Sequence, residues 1–327
     1  MRLAPAAFAL GLLAVTVLAQ AHQEVLAQPP RAVGEAAGDA LTTVEIAPGV
    51  YVHEGAEALA APDNRGDIAN LGFVVGAEGV AVIDTGGSVA IGRALLAAIR
   101  EVTALPVLAV INTHMHPDHT FGNAAFRGAG PQGADPAFFA HAKLGRALAV
   151  RAGHYRASTS LAMGDAGAGP EEIVLPDRDV AEGGEIDLGG RVLRLTAWPT
   201  AHTDNDLTVL DLATGTLFAG DLVFVHHLPV VDGSIAGWLA VHPRLAELSA
   251  TRVVPGHGPA AVPWPAALAP QRRYLEGVAA EVRRAIAEGT PLARAVADAP
   301  EPAAGWVLVD AFHRRNVTAA YAELEWE

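Results

Sequence analysis

A series of short apolar runs in this chain each stop on an acid or a histidine: VAVIDTG at 80–86, VLAVINTHMHPDH at 107–119, LFAGD at 217–221 and VVPGHG at 253–258. Apolar runs of this length, closed by Gly, Pro, Asn or Asp, read as buried strands. The polar side chains that end them would then gather at strand ends, where rigid elements can hold a site in place. Enough core exists to bury many such strands, because 51% of the 327 residues are hydrophobic. The formal net charge is −14 and there is no run of Lys or Arg, so most of the surface repels a phosphate backbone and nucleic acid is an unsuitable partner.

From Val44 the runs follow an order. VEIAPGVYVHEG has the alternation and turn of a hairpin, LGFVVGAEGVAVIDTG holds two strands, GSVAIGRALLAAIREV has helical spacing, and PVLAVINT is a further strand. The second half repeats this logic in GEIDLGGRVLRLTAWPTAHT, DLTVLDLATGTLFAGD and TRVVPGHG, with a helix near 237–249. From about 266 the pattern becomes helical, in LAPQRRYLEGVAAEVRRAIAEG and WVLVDAFHRRNVTAAYAEL. The expected fold class is α/β: two mixed β-sheets packed face to face with helices outside. Residues 42–327 form the expected domain, with a C-terminal helical extension.

The N-terminus, MRLAPAAFALGLLAVTVLAQAHQE, has one positive residue, an apolar stretch and an Ala19-Gln20-Ala21 arrangement. It reads as a signal peptide, 1–21, cleaved after Ala21, which predicts a periplasmic or secreted protein. Residues 22–41, rich in Ala, Gly, Pro and Gln, read as a flexible lead-in. No other stretch is apolar and long enough to cross a bilayer, so no membrane association is expected after cleavage. The chain has no cysteine, so there is no disulfide framework and no thiolate to act as nucleophile or ligand. Any metal must be held by His and carboxylate.

NTHMHPDHTFGN, 112–123, offers such groups in one place. His114 and His116 are two apart, so their rings project to one side of an extended backbone. Pro117 keeps the residue before it extended. A change of direction at Asp118 and His119 would aim that pair at a second position. Three histidines in six residues serve no core purpose. Zinc takes about four N or O ligands and leaves one position to water in catalytic sites. The motif supplies two plus two, and His202, Asp221 and His257 qualify as the remainder.

HMHPDH, followed by His202, Asp221 and His257 and preceded by VAVIDTG, resembles the metallo-β-lactamase superfamily over about Val44 to Pro259. The resemblance implies a four-layer αβ/βα sandwich with the metals at one edge of the two sheets. It implies that His114, His116 and His202 hold one ion, that Asp118, His119 and His257 hold a second, that Asp221 bridges them, and that Asp84 braces the metal loop. Two Zn2+ are expected, with iron as the alternative. The segments ANLGFVV, AHTDNDLTVLDL, HLPVVDGSIAGWL and HRRNVTAAYAELEWE are similar to exported quinoprotein relay system zinc metallohydrolases and their sulfur-oxidation-linked relatives. That similarity implies a functional link to a quinoprotein dehydrogenase. The best-known β-lactamases of the superfamily use Cys where this chain has Asp221, whereas glyoxalase II-type thioesterases use Asp, which weakens penicillin hydrolysis as the native role.

The expected function is a periplasmic metallohydrolase in which a metal-bridging hydroxide attacks an ester, thioester, lactone or amide of a small molecule, with Asp118 orienting the hydroxide or taking its proton. The alternatives are a mononuclear iron persulfide-type oxygenase and a non-enzymatic maturation or binding factor for a quinoprotein. Thr203, Asp204 and Asp206 follow a ligand and either fix histidine tautomers or form a polar turn. FVHHLPVVDGSIAGWL, 224–239, is a candidate substrate wall carrying His226, His227, Asp232 and Trp238, although a Trp opening a helix is as often a core anchor.

Overall fold

The computed structural model describes residues 40–164 and 173–327. The signal peptide expected at 1–21 lies outside the described residues, as does the lead-in up to residue 39. Leu41, the last residue of that lead-in, donates its amide to Ala94 O at 3.1 Å and packs on the core.

The first half builds a seven-stranded sheet: β1 (Val44–Ala47), β2 (Val50–His53), β3 (Leu71–Val75), β4 (Val80–Ile83), then α1 (Val89–Val102), β5 (Val107–Asn112), α2 (Pro117–Thr120), β6 (Ala137–His141), α3 (Leu144–Met163) and β7 (Arg178–Val180). Its strands lie in sequence order, antiparallel as far as β4 and parallel from β4 to β7. The parallel steps require crossovers, and α1 supplies the first. Ser88 caps α1 by accepting from Ile91 N at 3.3 Å, and Ile91, Leu95 and Ile99 form its buried stripe. That stripe covers Phe73, Val80, Val82 and Val110 on the outer face of the sheet. Every residue of β4 is buried, which accounts for its unbroken apolar run.

The second half builds a six-stranded sheet from β8 (Gly183–Asp187), β9 (Val192–Ala197), β10 (Leu207–Asp211), β11 (Thr216–Phe224), β12 (Arg252–His257) and β13 (Val262–Pro263), with α4 (Ile235–Ala246) crossing between the parallel pair β11 and β12. The chain ends in α5 (Leu268–Ala287), α6 (Leu292–Ala297) and α7 (Val309–Leu324). Leu245 of α4, Leu275 and Val278 of α5 and Val317 of α7 pack on the outer face of this sheet. Val52, Ile83 and Ile111 of the first sheet meet Leu195, Val209 and Phe218 of the second in the layer between them. Each such side chain, buried from water, contributes on the order of 2 kcal/mol. The order is therefore helix, sheet, sheet, helix, the α/β architecture the sequence implies. No helix of the described residues is long and apolar enough to cross a membrane.

Backbone hydrogen bonds join the two sheets at one edge: Leu207 N donates to Thr113 O at 2.7 Å, and Asn70 N to Gly256 O at 2.8 Å. These bonds flank the polar cluster described next.

Candidate metal centre

After β5 the chain leaves the sheet, and His116 caps the single-turn helix α2 with extended geometry, φ −65° and ψ 148°. Pro117 occupies the first helical position, where its fixed φ suits the turn and its missing N–H costs nothing. Asp118 and His119 thus start from helical backbone while His114 and His116 precede it. His202 comes from the loop between β9 and β10, and His257 is the last residue of β12. Asp221 departs from the expectation that each acid or histidine marks a strand end, because it lies inside β11. There the register against β12 shifts on both sides of Gly220, and such irregularities re-aim a side chain.

All seven residues converge. Their ligating atoms form two groups, His114, His116, His202 and Asp221 in one and Asp118, His119 and His257 in the other, each within 4.8 Å. Asp221 faces both: Oδ2 is 3.3 Å from His202 Nε2 and 3.6 Å from His114 Nε2, while Oδ1 is 3.2 Å from His119 Nε2 and 3.5 Å from His257 Nε2. Asp118 Oδ2 lies 3.4 Å from His257 Nε2 and 3.7 Å from His119 Nε2.

An acceptor on the outer nitrogen of each ring selects the tautomer. His202 Nδ1 donates to Val230 O at 2.7 Å, His257 Nδ1 to Ile68 O at 2.8 Å, and His119 Nδ1 to Asp84 Oδ2 at 2.8 Å. The Thr113 hydroxyl donates to Asp84 Oδ2 at 2.7 Å, which leaves its oxygen to accept from His114 Nδ1 at 3.1 Å. His116 is reversed, with Nε2 against Asp232 Oδ2 at 3.0 Å and Nδ1 turned inward. In these tautomers three bare nitrogens meet in the first group, His116 Nδ1 lying 3.0 Å from His114 Nε2 and 3.1 Å from His202 Nε2. Lone pairs at that spacing repel unless a cation lies among them. His119 Nε2 and Asp221 Oδ1 are buried with no hydrogen-bond partner among the described residues, which a buried polar atom tolerates only at a cost. The donor set, imidazole plus carboxylate without thiolate, fits a divalent ion such as zinc or iron.

Electrostatics agree with this division. Burial pushes the His202 imidazole down to about 4 and His114 well below its ordinary value. Burial also acts on His119 and His257, but the Asp221 and Asp118 carboxylates outweigh it, raising His119 well above its ordinary value and His257 to about 10. A cation entering the second group therefore displaces protons from these two rings. Burial would raise the Asp118 carboxyl, yet His119 and His257 hold it well below the usual carboxylate range.

The surrounding residues divide. Asp84, in the left-handed region at φ 58°, accepts from Thr113 N at 2.8 Å and carries His119, so it braces the loop. Gly256 makes room for the central carboxylate, because a Cβ there would stand 1.9 Å from Asp221 Oδ1. Thr203 and Asp206 bond each other, Thr203 Oγ1 donating to Asp206 Oδ1 at 2.7 Å, and form the polar turn instead of holding a ring; burial raises the Asp206 carboxyl to about 7. Trp238 is a core anchor and no substrate wall: it is fully buried, donates Nε1 to Leu222 O, and sets its ring 5.4 Å from that of His202. His227 is buried with its ring 4.7 Å from that of His257, whereas His226 is exposed and meets Glu57 at 3.2 Å.

Three supports escaped the sequence reading. Asp232, singled out only as part of a substrate wall, holds His116 through its carboxylate. Thr113 links His114 to Asp84. Asn316 of α7 accepts from Val231 N at 2.9 Å and donates to Pro229 O at 2.6 Å, so a residue far along the chain fixes the loop whose Val230 carbonyl orients His202. A cavity of about 750 Å³ opens between α5 and the 300–306 loop; Phe224 and His226 line it, but none of the seven clustered residues does.

Known proteins share this fold. A sec-alkylsulfatase, Pisa1 from Pseudomonas sp., superposes with a TM-score of 0.66 at 17% identity, over 88% of this chain and 51% of that one. A beta-lactamase domain protein from Burkholderia ambifaria superposes with a TM-score of 0.62 at 24% identity, over 89% of each chain. A linear primary-alkylsulfatase of Pseudomonas sp. (strain ATCC 19151) is 45% identical over 49 residues, 15% of this chain, so the match spans only 9% of that relative's length. The family model of the metallo-beta-lactamase superfamily matches residues 64–257, from the turn before β3 to the last clustered histidine, and the chain belongs to that superfamily.

Proposed function

We propose that this protein is an exported metallohydrolase with two zinc ions, cleaving an ester, thioester, lactone or amide of a small molecule. The observation that carries the reading is the placement of Asp221, one carboxylate oxygen toward each group of ligating atoms. When bound, a pair of cations lowers the pKa of water toward neutrality and polarises the bond to be cleaved. The chain's own residues do the rest. Outer hydrogen bonds hold the five rings with bare nitrogens inward. Asp118, at the edge of the second group, would orient the attacking water and accept its proton. Alkylsulfatases among the similar proteins add sulfate esters to the substrates worth assaying.

The test is elemental analysis of the purified protein, joined to hydrolysis of ester, thioester, lactone and sulfate ester panels by the native chain and by Asp118→Ala. About two zinc per chain, with activity lost in the variant, supports the proposal. Iron at one per chain with sulfur-dependent oxygen uptake replaces it with the oxygenase reading. Blank hydrolytic panels, together with recovery of a quinoprotein dehydrogenase from periplasm, replace it with the maturation-factor reading.

A further inference from the structure

An arginine beside the metal cluster has no carboxylate in ion-pair distance among the described residues. The chain carries 36 acidic against 22 basic residues, and arginines such as Arg191, Arg194 and Arg283 are matched to carboxylates. Arg151, on α3, has no carboxylate within ion-pair distance among the described residues. Its one recorded contact is weak: Nη1 lies 3.5 Å from the Met115 sulfur, and Met115 separates His114 from His116. Arg151 is only partly exposed, and Asp232 feels its charge from beyond ion-pair distance, so its donors are free of a direct carboxylate.

One helical turn further along, Tyr155 lies on the same face of α3. Its ring packs with Met115, Phe121 and Leu148 and stands edge-on to His116 at 6.3 Å between centroids. Its hydroxyl makes no hydrogen bond among the described residues. A guanidinium and a phenol hydroxyl, neither bonded to a carboxylate among the described residues, thus lie near His116, which is itself partly exposed.

We propose that Arg151 and Tyr155 form an oxyanion-holding subsite beside the metal cluster, so that the substrate carries a carboxylate, sulfate or phosphate group. The subsite rests on the hydrolase reading above for its place in a reaction, but anion binding does not depend on turnover. Guanidinium is suited to such groups because its planar N–H fork matches two oxygens at once. Asp118 within the cluster and Asp232 beside it would repel an anionic substrate, and Arg151 offsets that repulsion where the substrate approaches.

The experiment uses the metal-loaded full-length mature protein. Calorimetry with inorganic sulfate compares the native chain with Arg151→Met, Arg151→Lys and Tyr155→Phe. Steady-state kinetics compares p-nitrophenyl acetate with its anionic counterparts, mono-p-nitrophenyl succinate, p-nitrophenyl sulfate and p-nitrophenyl phosphate. Charged hydrogen bonds of this type are worth roughly a ten- to hundredfold change in binding. Arg151→Met is expected to weaken sulfate by that factor and to lower the anionic-to-neutral ratio of kcat/KM about as much, chiefly through KM. Arg151→Lys should recover part of both, and Tyr155→Phe should cost less than Arg151→Met. Which anionic ester shows the largest ratio distinguishes a carboxylate carried apart from the scissile bond from a sulfate or phosphate that is itself the scissile group. Sulfate binding that depends on Arg151 in a protein that cleaves no ester keeps the subsite and removes the hydrolase. Ester cleavage whose anionic-to-neutral ratio is the same in Arg151→Met removes the subsite and keeps the hydrolase; sulfate affinity unchanged in that variant also overturns the subsite.

Discussion

The two sheets reach the cluster in opposite ways. The first sheet delivers four side chains from six consecutive positions, on one loop and a single helical turn after β5. The second delivers three, His202, Asp221 and His257, from separate places 55 residues apart end to end, each held by a different element. The first arrangement is short-range and survives as a motif. The second exists only when β9 to β12 pair correctly and α4, α5 and α7 press the sheet into shape. The second sheet's contribution should accordingly be the more sensitive to distant packing, and the following changes test that contrast from the largest expected effect to the smallest.

Asp221→Ala removes the carboxylate shared by both groups. Metal content should drop below one ion per chain, and the loss of several kcal/mol of transition-state stabilisation should lower kcat/KM by about 10³-fold or more. A variant that kept two ions would break the idea that Asp221 joins the groups. Trp238→Ala leaves a large void under His202, with an expected loss of about 3–5 kcal/mol in thermal or denaturant unfolding. The seven ligating residues are untouched in that variant, so any loss of metal measures how far the second sheet's ligands depend on packing. Asp84→Ala attacks the first sheet locally. Removing the support of a ligating His costs roughly 10- to 100-fold in metal affinity, and the loss should fall on the ion held by His119. Asn316→Ala, on α7, leaves Val231 N unpaired and should cost about 1–3 kcal/mol. If metal affinity also falls, the remote brace on His202 is functional.

A pH experiment separates the cluster from its surroundings. His242, buried on α4, has its imidazole pushed down to about 4, first by burial and then by Arg272. Its folded value lies below the unfolded value near 6.5, so the unfolded chain binds more protons between those limits. The stability from neutral His242 is complete above pH 6.5 and is lost as pH falls toward 4. His242→Leu should flatten the stability slope in that window, as read by denaturant midpoints at pH 7, 5.5 and 4.

Much of this was legible in the residues. The strands from Val44 to Asn112 and from Gly183 to His257 carry unbroken or alternating apolar runs bounded by Gly, Pro and Asp, and they appear where those patterns predict. β6, α3 and β7 were not legible. Lys143 opens α3 without a side-chain cap, its outer face carries the exposed apolar residues Val150 and Leu161, which blur the buried stripe, and β7 is three residues long with only Val180 buried. The cluster itself was visible as three histidines and an acid in one loop, followed by acids and histidines after apolar runs. Its outer support was not. Thr203 and Asp206 stand next to a ligand in sequence yet bond each other, whereas Asn316, more than a hundred residues from His202, fixes the carbonyl neighbourhood that orients it.

By itself the sequence determined the strand pattern, the α/β class, the thiolate-free donor set and the seven residues able to form a metal centre. Residue type and local period carry that information, because hydrophobic burial and coordination chemistry act through side-chain identity. Tertiary structure alone decided that Asp221 sits inside a strand with one oxygen toward each group, that Trp238 is core, and that Arg151 reaches Met115, between two clustered histidines, with no carboxylate in ion-pair distance among the described residues. Those facts depend on distances between residues far apart in the chain, and only the packing of two sheets and their outer helices sets them.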